Sequence, residues 1–445
     1  MVHIHCRASP IQGDAALQAR LALASVGYQV FVSISPYSGE ASVEQSGEGL
    51  RIMKIVALGG CGVMGRRAVR YFDMMNEVDE WVIADLHEDR ARAFSDEIGT
   101  NSSAVGIDVM EHDKLVALLK DADLVLNTVG PFYKFGVPIL KAAIAAGCHY
   151  VDINDDWEPT VEMLELDGEA KAAGISAMIN MGGSPGMSNM LAKWAIEKLD
   201  TAETLYVCFH MDGVSVDTGD VAFESGEAGA TAAAVHSVQQ MTGTVLVREG
   251  GEFIQRKPLE KRTFSDVGVG ASGGVILGHP EPVTLPRYFA SIAESACLVM
   301  GDEAEFDQLR GLMSEVDQGN LNVSDAAALL EAGFADRPTP EMSAPGDPGR
   351  GLSPLLLVYA AGLKGGQKQE VVLRMSALPG NNSMADMTGI PMAVGASLLV
   401  QGHVSRKGVF APEAALDSKV FFDRLASYTT PRQASADALI LETIV

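Results

Sequence analysis

Gly60, Gly62 and Gly65 stand in the stretch KIVALGGCGVMGRRAVRYF at a G-x-G-x-x-G spacing, and the pattern suits an anionic ligand. Gly60 permits a tight turn, Gly62 lets the backbone approach a pyrophosphate, and Gly65 lets a following helix lie close to the strand before it. Val63 and Met64, between the last two glycines, are counted with the cofactor-binding candidates, and RRAVRYFDMM continues with helical character; the first N–H groups of such a helix lack partners within it and carry a partial positive charge. Asp85, twenty residues beyond Gly65, ends the apolar run EWVIAD. A carboxylate there accepts hydrogen bonds from both hydroxyls of a ribose and repels a 2′-phosphate. Leu86 and His87 follow it rather than Arg, so the cofactor expected is NAD, with NADP less favoured.

These residues need a parallel sheet to hold them. KIVALG and EWVIAD read as buried strands, NSSAVGIDV as a third ending at Asp108 and Val109, and DLVLNTVGPF as a fourth. HDKLVALLKDA between them has helical periodicity, and GVPILKAAIAAGCHYVDIND supplies a further helix and strand. Ligands of open parallel sheets sit beyond the strand C-termini, which puts Asp108, Val109, Thr128 and Gly130 on the cofactor side. Asp152 and Asn154 share that edge. Tyr133 reads equally as a wall of the nicotinamide pocket or as aromatic packing, and Asp152 as a group that orients an amine or caps a turn.

Composition sets outer bounds. The chain has 445 residues, 47% of them apolar and 20% charged, enough for two or three domains and a large core. A net charge of −25 repels nucleic acid and anionic membrane surfaces alike. Five scattered cysteines without a C-x-x-C pair fit reduced thiols in a cytoplasmic protein, and no metal site is visible. No apolar run reaches the 18 residues a membrane-spanning helix requires. Residues 1–52 carry no export signal, and Met53 stands directly before the first strand, so the expectation is an extension preceding a start near Met53.

Behind the glycine motif, the stretches DLVLNTVGPFYKFG, GCHYVDIND, NMGGSPGMSNMLA and GHPEPVTLPR occur in this order. In them the chain, from about Met53 to its end, resembles the saccharopine dehydrogenase-like reductases, which include saccharopine reductase, carboxynorspermidine synthase and lysine 6-dehydrogenase. The resemblance implies an α/β protein with a doubly wound Rossmann sheet over residues 53–155. It further implies an inserted substrate and dimerisation domain with a mixed sheet over 156–380, and a segment, 381–445, that returns to the Rossmann domain. The implied chemistry is hydride transfer at a C–N bond of an amino acid or its imine, by a homodimer. Oxidative deamination of the lysine 6-dehydrogenase kind, and a non-catalytic dinucleotide-binding regulator, are the alternatives.

Candidates for the substrate side follow. GGSPGMSNM reads as a turn entering a helix, with Ser184 or Ser188 capping it and the N–H groups near Gly186 and Asn189 open to a carboxylate, or as a simple connection between domains. GHPEPVTLPRYF reads as a loop stiffened by prolines around His279, Glu281, Thr284 and Arg287. His279 suits proton transfer and Arg287 a bidentate carboxylate clamp, the other reading being a structural loop. His236, among the small residues around Glu224, reads as a core or interface histidine. GVGVGASGG reads as a loop, residues 301–351 as a helical excursion and a loop, and PLLLVYAAGLKGGQKQEVVLRMSALPG as a hairpin.

Overall fold

Short β-branched and apolar runs between glycine turns and amphipathic helices are the material of a parallel sheet, and that is what they form here. The computed structural model describes residues 29–34, 41–46, 53–210, 232–265, 273–335, 356–381 and 383–445. The chain divides into two compact units, 1–53 and 54–445. In the first, Gln29–Ile34 pairs antiparallel with Ala41–Ser46.

In the second unit, β1 (Lys54–Leu58), β2 (Glu80–Asp85), β3 (Ser102–Gly106), β4 (Leu124–Asn127), β5 (His149–Asp152) and β6 (Ser176–Met178) alternate with α1 (Val63–Asp73), α2 (Glu88–Ile98), α3 (His112–Leu119), α4 (Phe132–Ala146), α5 (Trp157–Glu165) and α6 (Asp167–Ala172). The strands are all parallel in the order 3-2-1-4-5-6, the doubly wound arrangement of a Rossmann fold. Both faces are covered, so Ile55, Val56, Leu58, Trp81 and Ile83 are buried with almost no polar alternation. The third strand stops at Gly106, earlier than its sequence suggests, because Asp108 turns the chain by accepting from the Met110 N–H at 2.9 Å.

After β6 the chain enters α7 (Met187–Glu197) and a second sheet: β7 (Thr201–His210), β8 (Val245–Glu249), β9 (Glu252–Arg256), β10 (Lys261–Thr263), β11 (Gly273–Leu277), β12 (Glu294–Met300), β13 (Leu356–Lys364) and β14 (Gln367–Met375). Two later strands complete the sheets. β15 (Gly408–Phe410) pairs parallel with β6 on the Rossmann side, and β16 (Ile440–Ile444) pairs antiparallel with β14. The nine-stranded sheet runs 9-8-12-7-13-14-16, with β10 and β11 attached beside β12, and is mixed because β7 and β12 are parallel. The hairpin expected over 356–375 is present, turning through Gly365 and Gly366 at φ 58° and 77°.

Four helices complete the surroundings of the site: α8 (Ala232–Gln240), α9 (Glu281–Tyr288), α10 (Glu303–Asp317) and α11 (Val323–Ala335). The stretch expected as a stiff loop after His279 is thus mostly a short helix, because Pro282 lies in its first turn, where no N–H partner is needed. α12 (Met384–Val400) is apolar on all sides and packs against α1. Glu224, the glycines of 266–272 and residues 336–355, where the sequence suggests a loop, lie outside the described residues.

Candidate active site

The glycine turn begins one residue earlier than its spacing suggests. Gly59 adopts φ 69°, its N–H donates to Ala84 O at 2.8 Å, and Gly62 N–H donates to Gly59 O at 2.9 Å. Gly60 is required for a different reason, since a Cβ there would lie 2.7 Å from that of Ala57. A Cβ on Gly65 would lie 2.4 Å from Gly59 O, so this glycine lets α1 sit against the turn. At Gly62 a Cβ would meet only Gly59 O, at 3.1 Å, and otherwise open space, which leaves room for a phosphate to approach the backbone. Thr128 holds the end of β4 against this turn, its hydroxyl 3.0 Å from Leu58 O and 3.1 Å from Gly59 O.

Around the turn, the remaining cofactor candidates share the C-terminal edge of the sheet. Asp85 is half-buried at the end of β2 and accepts from the His87 N–H at 3.0 Å. Burial, reinforced by the adjacent Asp85 carboxylate, pushes the Cys61 thiol up to about 12, so it stays neutral beside an incoming phosphate. Val63 and Met64 begin α1, Asp108 and Gly130 are exposed, and Val109 is buried. The residues present fit a dinucleotide: a glycine cradle, a helix start and a carboxylate at the end of β2.

A second group gathers where β5 ends. Asp152 is fully buried and accepts from Tyr150 Oη at 2.8 Å, from the Asn180 N–H at 2.7 Å and from the Asn154 N–H at 3.0 Å. Burial raises its pKa to about 6. With these partners it fastens the β5 and β6 loops. The next carboxylates are Asp155, half-buried, and Asp156, buried. His236 on α8 donates through Nε2 to Asp156 Oδ1 at 2.6 Å, and its Nδ1 lies 3.5 Å from Asp155 Oδ2. Burial of the ring opposes its charge, but Asp155 and Asp156 outweigh that effect and raise its pKa to about 9. Gln240 Nε2 adds a bond to the Asp155 carbonyl at 3.3 Å.

His279 closes the group from the other side. Asp155 feels the charge of both His236 and His279. His279 Nδ1 stands 3.3 Å from Glu281 Oε2, an ion-pair distance without hydrogen-bond alignment, and its ring packs 5.4 Å from that of Phe209. Glu281 is fully buried, and its other oxygen accepts from Ser184 Oγ at 2.5 Å and Ser188 Oγ at 2.8 Å. Burial alone would raise this carboxyl; the His279 charge and the surrounding donors hold it below the usual range. The two serines therefore serve Glu281, and the start of α7 is capped instead by Asn189 Oδ1, which accepts from the Gly186 N–H at 2.9 Å.

Asn189 then reaches into a buried hub. Its Nδ2 donates to Thr284 Oγ1 and to Glu413 Oε2, each at 3.0 Å. Burial pushes the Glu413 carboxyl up to about 7. Gly186, Asn189, Glu281 and Thr284 are thus brought together with His279, as packed supports that shape the seam between the sheets. Arg287, on the last turn of α9, is exposed, as is Tyr133, which opens α4 after the β4 loop. Asp155, Asp156, His236 and Glu413 were not singled out as site residues by sequence reasoning. The adjacent acids following a buried strand end were the signal available for the first two.

A doubly wound parallel sheet with this glycine turn defines a dinucleotide-binding protein of the Rossmann class. Residues 55–178 match the family described as the saccharopine dehydrogenase NADP binding domain. A carboxyaminopropylagmatine dehydrogenase of Synechocystis sp. is 24% identical over 346 residues, covering 73% of this chain and 83% of that protein. A human saccharopine dehydrogenase-like oxidoreductase is 38% identical over 77 residues, 17% of this chain and 18% of the other. The structure of saccharopine dehydrogenase (L-Glu forming) from Saccharomyces cerevisiae shares the fold, with a TM-score of 0.58 at 14% identity, across 88% of this chain and 100% of that one. Over residues 55–178 the chain carries a saccharopine dehydrogenase-type NAD(P)-binding domain, and over most of its length it is similar to saccharopine dehydrogenase-like oxidoreductases.

Proposed function

We propose that this protein oxidises the C–N bond of an amino acid or secondary amine, or reduces the matching imine, with NAD as the preferred dinucleotide. The observation that supports it most is the convergence of His236, Asp155, His279 and Glu281 at the C-terminal edge of the parallel sheet that carries the glycine turn. When bound, the nicotinamide supplies the hydride or accepts it. The chain's own residues must then position the carbon, manage the proton on nitrogen and exclude water.

His279 is the proton-transfer group in this reading. In the oxidative direction it takes a proton from the substrate nitrogen, so that the lone pair is free to form C=N as hydride leaves the adjacent carbon. In reduction it returns that proton. Asp85 favours NAD because its carboxylate would sit against a 2′-phosphate. Arg287 is the candidate for a substrate carboxylate and Tyr133 for a wall of the nicotinamide pocket; the N–H groups of Gly186, Met187 and Ser188, expected from the sequence to be open to a carboxylate, already donate to Asn189 Oδ1, Gly182 O and Gly183 O. We take the protein to be a cytoplasmic homodimer, in keeping with four unpaired thiols among the described residues; light scattering on purified protein tests the dimer.

The testing experiment follows nicotinamide absorbance while NAD and NADP are offered with amino acids, polyamines and amine plus keto-acid pairs. Turnover with NAD on one such substrate is expected, and His279→Asn should lower kcat by about 10²- to 10⁴-fold with the fold intact. Turnover on one amino acid alone would mark oxidative deamination. Cofactor binding with no turnover on any amine would overturn the catalytic reading in favour of a regulator.

A further inference from the structure

Resting on the reading of His279 as the proton-transfer group, we propose that Glu281 is its positioning residue, and that Ser184 and Ser188 tune it from behind rather than touching substrate. The arrangement is a three-layer relay of contacts. The two hydroxyls converge on Glu281 Oε1, leaving Oε2 for His279 Nδ1 at 3.3 Å. Glu281 is fully buried, so it can touch solvent-borne substrate only through the imidazole. His279, at 5% exposure, is the more open of the two.

Geometry explains why a histidine alone would not suffice here. His279 precedes α9 by two residues, Ser184 lies in the turn before α7 and Ser188 in the first turn of α7. The two stretches, 97 and 93 residues apart in sequence from Glu281, are brought into contact by one carboxylate. A ring so held presents Nε2 in one direction, while the negative charge at its back favours the imidazolium that forms once a proton is taken. Other charged and titratable groups facing this pair among the described residues are Asp155 from the β5 loop, with His236 of α8 behind it, the Cys297 thiol of β12, and Glu413, whose carboxyl feels the charge of Glu281.

The test is the pH profile of kcat/KM in the parent and three variants, using the substrate that the parent turns over best. Glu281→Gln removes the charge and should move the limb belonging to the base down by about one pH unit, with kcat falling and KM little changed. Ser184→Ala, which removes only a hydroxyl, should move the limb the other way, because Glu281 then directs more of its charge to the imidazole. Glu281→Asp should restore the parent limb at reduced kcat. Opposite shifts support the proposal, since a merely structural role would lower activity without moving the limb in two directions. If Glu281→Gln does not fold, the upward shift in Ser184→Ala decides alone. Unmoved limbs in a parent that turns over would overturn this proposal and leave the proposed function standing; a parent without turnover would overturn that function first. A stoichiometric transition metal in purified protein would also overturn it, because His279, Glu281 and Cys297 present ligand atoms within 4.8 Å of one another.

Discussion

At the scale of single residues, charge placement decides two outcomes. Asp85 accepts from its own turn, at the His87 N–H, and lies beside the Cys61 thiol, and a carboxylate with these neighbours retains acceptor capacity for a ribose. Asp85→Ala should weaken NAD binding by about 1–3 kcal/mol, the scale of a lost charged acceptor, while NADP gains relative to NAD. A fluorescence titration with both dinucleotides measures this, and unchanged NAD affinity would remove Asp85 from the cofactor site. Glu413 makes the second case. Burial moves its pKa from 4.5 to about 7, so between those values the folded chain keeps a proton that the unfolded chain releases. Stability therefore falls as pH rises across that window and is flat above it. Glu413→Gln keeps an acceptor for Asn189 and removes the titrating group. Chemical denaturation at pH 5 and pH 8 should show a smaller loss in the variant, by on the order of 2 kcal/mol.

At the scale of elements, helix packing ties the cofactor turn to the C-terminal segment. Gly389 in α12 faces α1 so closely that a Cβ would lie 2.7 Å from the Arg67 Cβ and 2.8 Å from the Ala68 N–H nitrogen. Gly389→Ala should cost about 1–3 kcal/mol, and because α1 starts at the phosphate turn, dinucleotide affinity should fall with it. Gly311, in the exposed interior of α10 with nothing near its absent Cβ, is the control: Gly311→Ala should stabilise by roughly 0.5–1 kcal/mol. Thermal melts with and without NAD compare the pair, and equal effects at both sites would discount the contact. The same contrast explains what could be read from sequence. The alternation of strands and helices from Lys54 to Asp152 and the Gly365–Gly366 hairpin are local patterns, legible from periodicity and turn chemistry. His236 with Asp156, Ser184 with Glu281, and Asn189 with Glu413 are 80, 97 and 224 residues apart, and only the packing of both sheets brings them together. The prolines of α9 misled for a physical reason too: one that usually stiffens a loop can equally begin a helix.

At the scale of the whole molecule, the buried ionisable groups act in one direction over most of the pH range. Burial raises Asp152 from 3.8 to about 6 and Glu413 from 4.5 to about 7, so each lowers stability as pH climbs through its window. His236, raised from 6.5 to about 9 against the opposing effect of burial, contributes stability that is fully present below 6.5 and lost as pH rises through 9. Glu249 opposes them, but only in acid: Arg256 and Arg262 lower it from 4.5 to about 2, so its contribution persists above 4.5 and is lost as pH falls through 2. A net charge of −25 at pH 7 adds self-repulsion with the same sign as the first three groups. The melting temperature should therefore peak on the acid side of neutral and drop by about 5 °C or more towards pH 8.5. Salt at pH 8.5 should recover the part due to net charge, because exposed charges are screened, and leave the part due to buried carboxyls, which are not. A melting temperature that rises between pH 5.5 and 8.5 would mean that Asp152 and Glu413 are solvated in the folded protein, and that the seam between the sheets is open to water where His279 would take its proton.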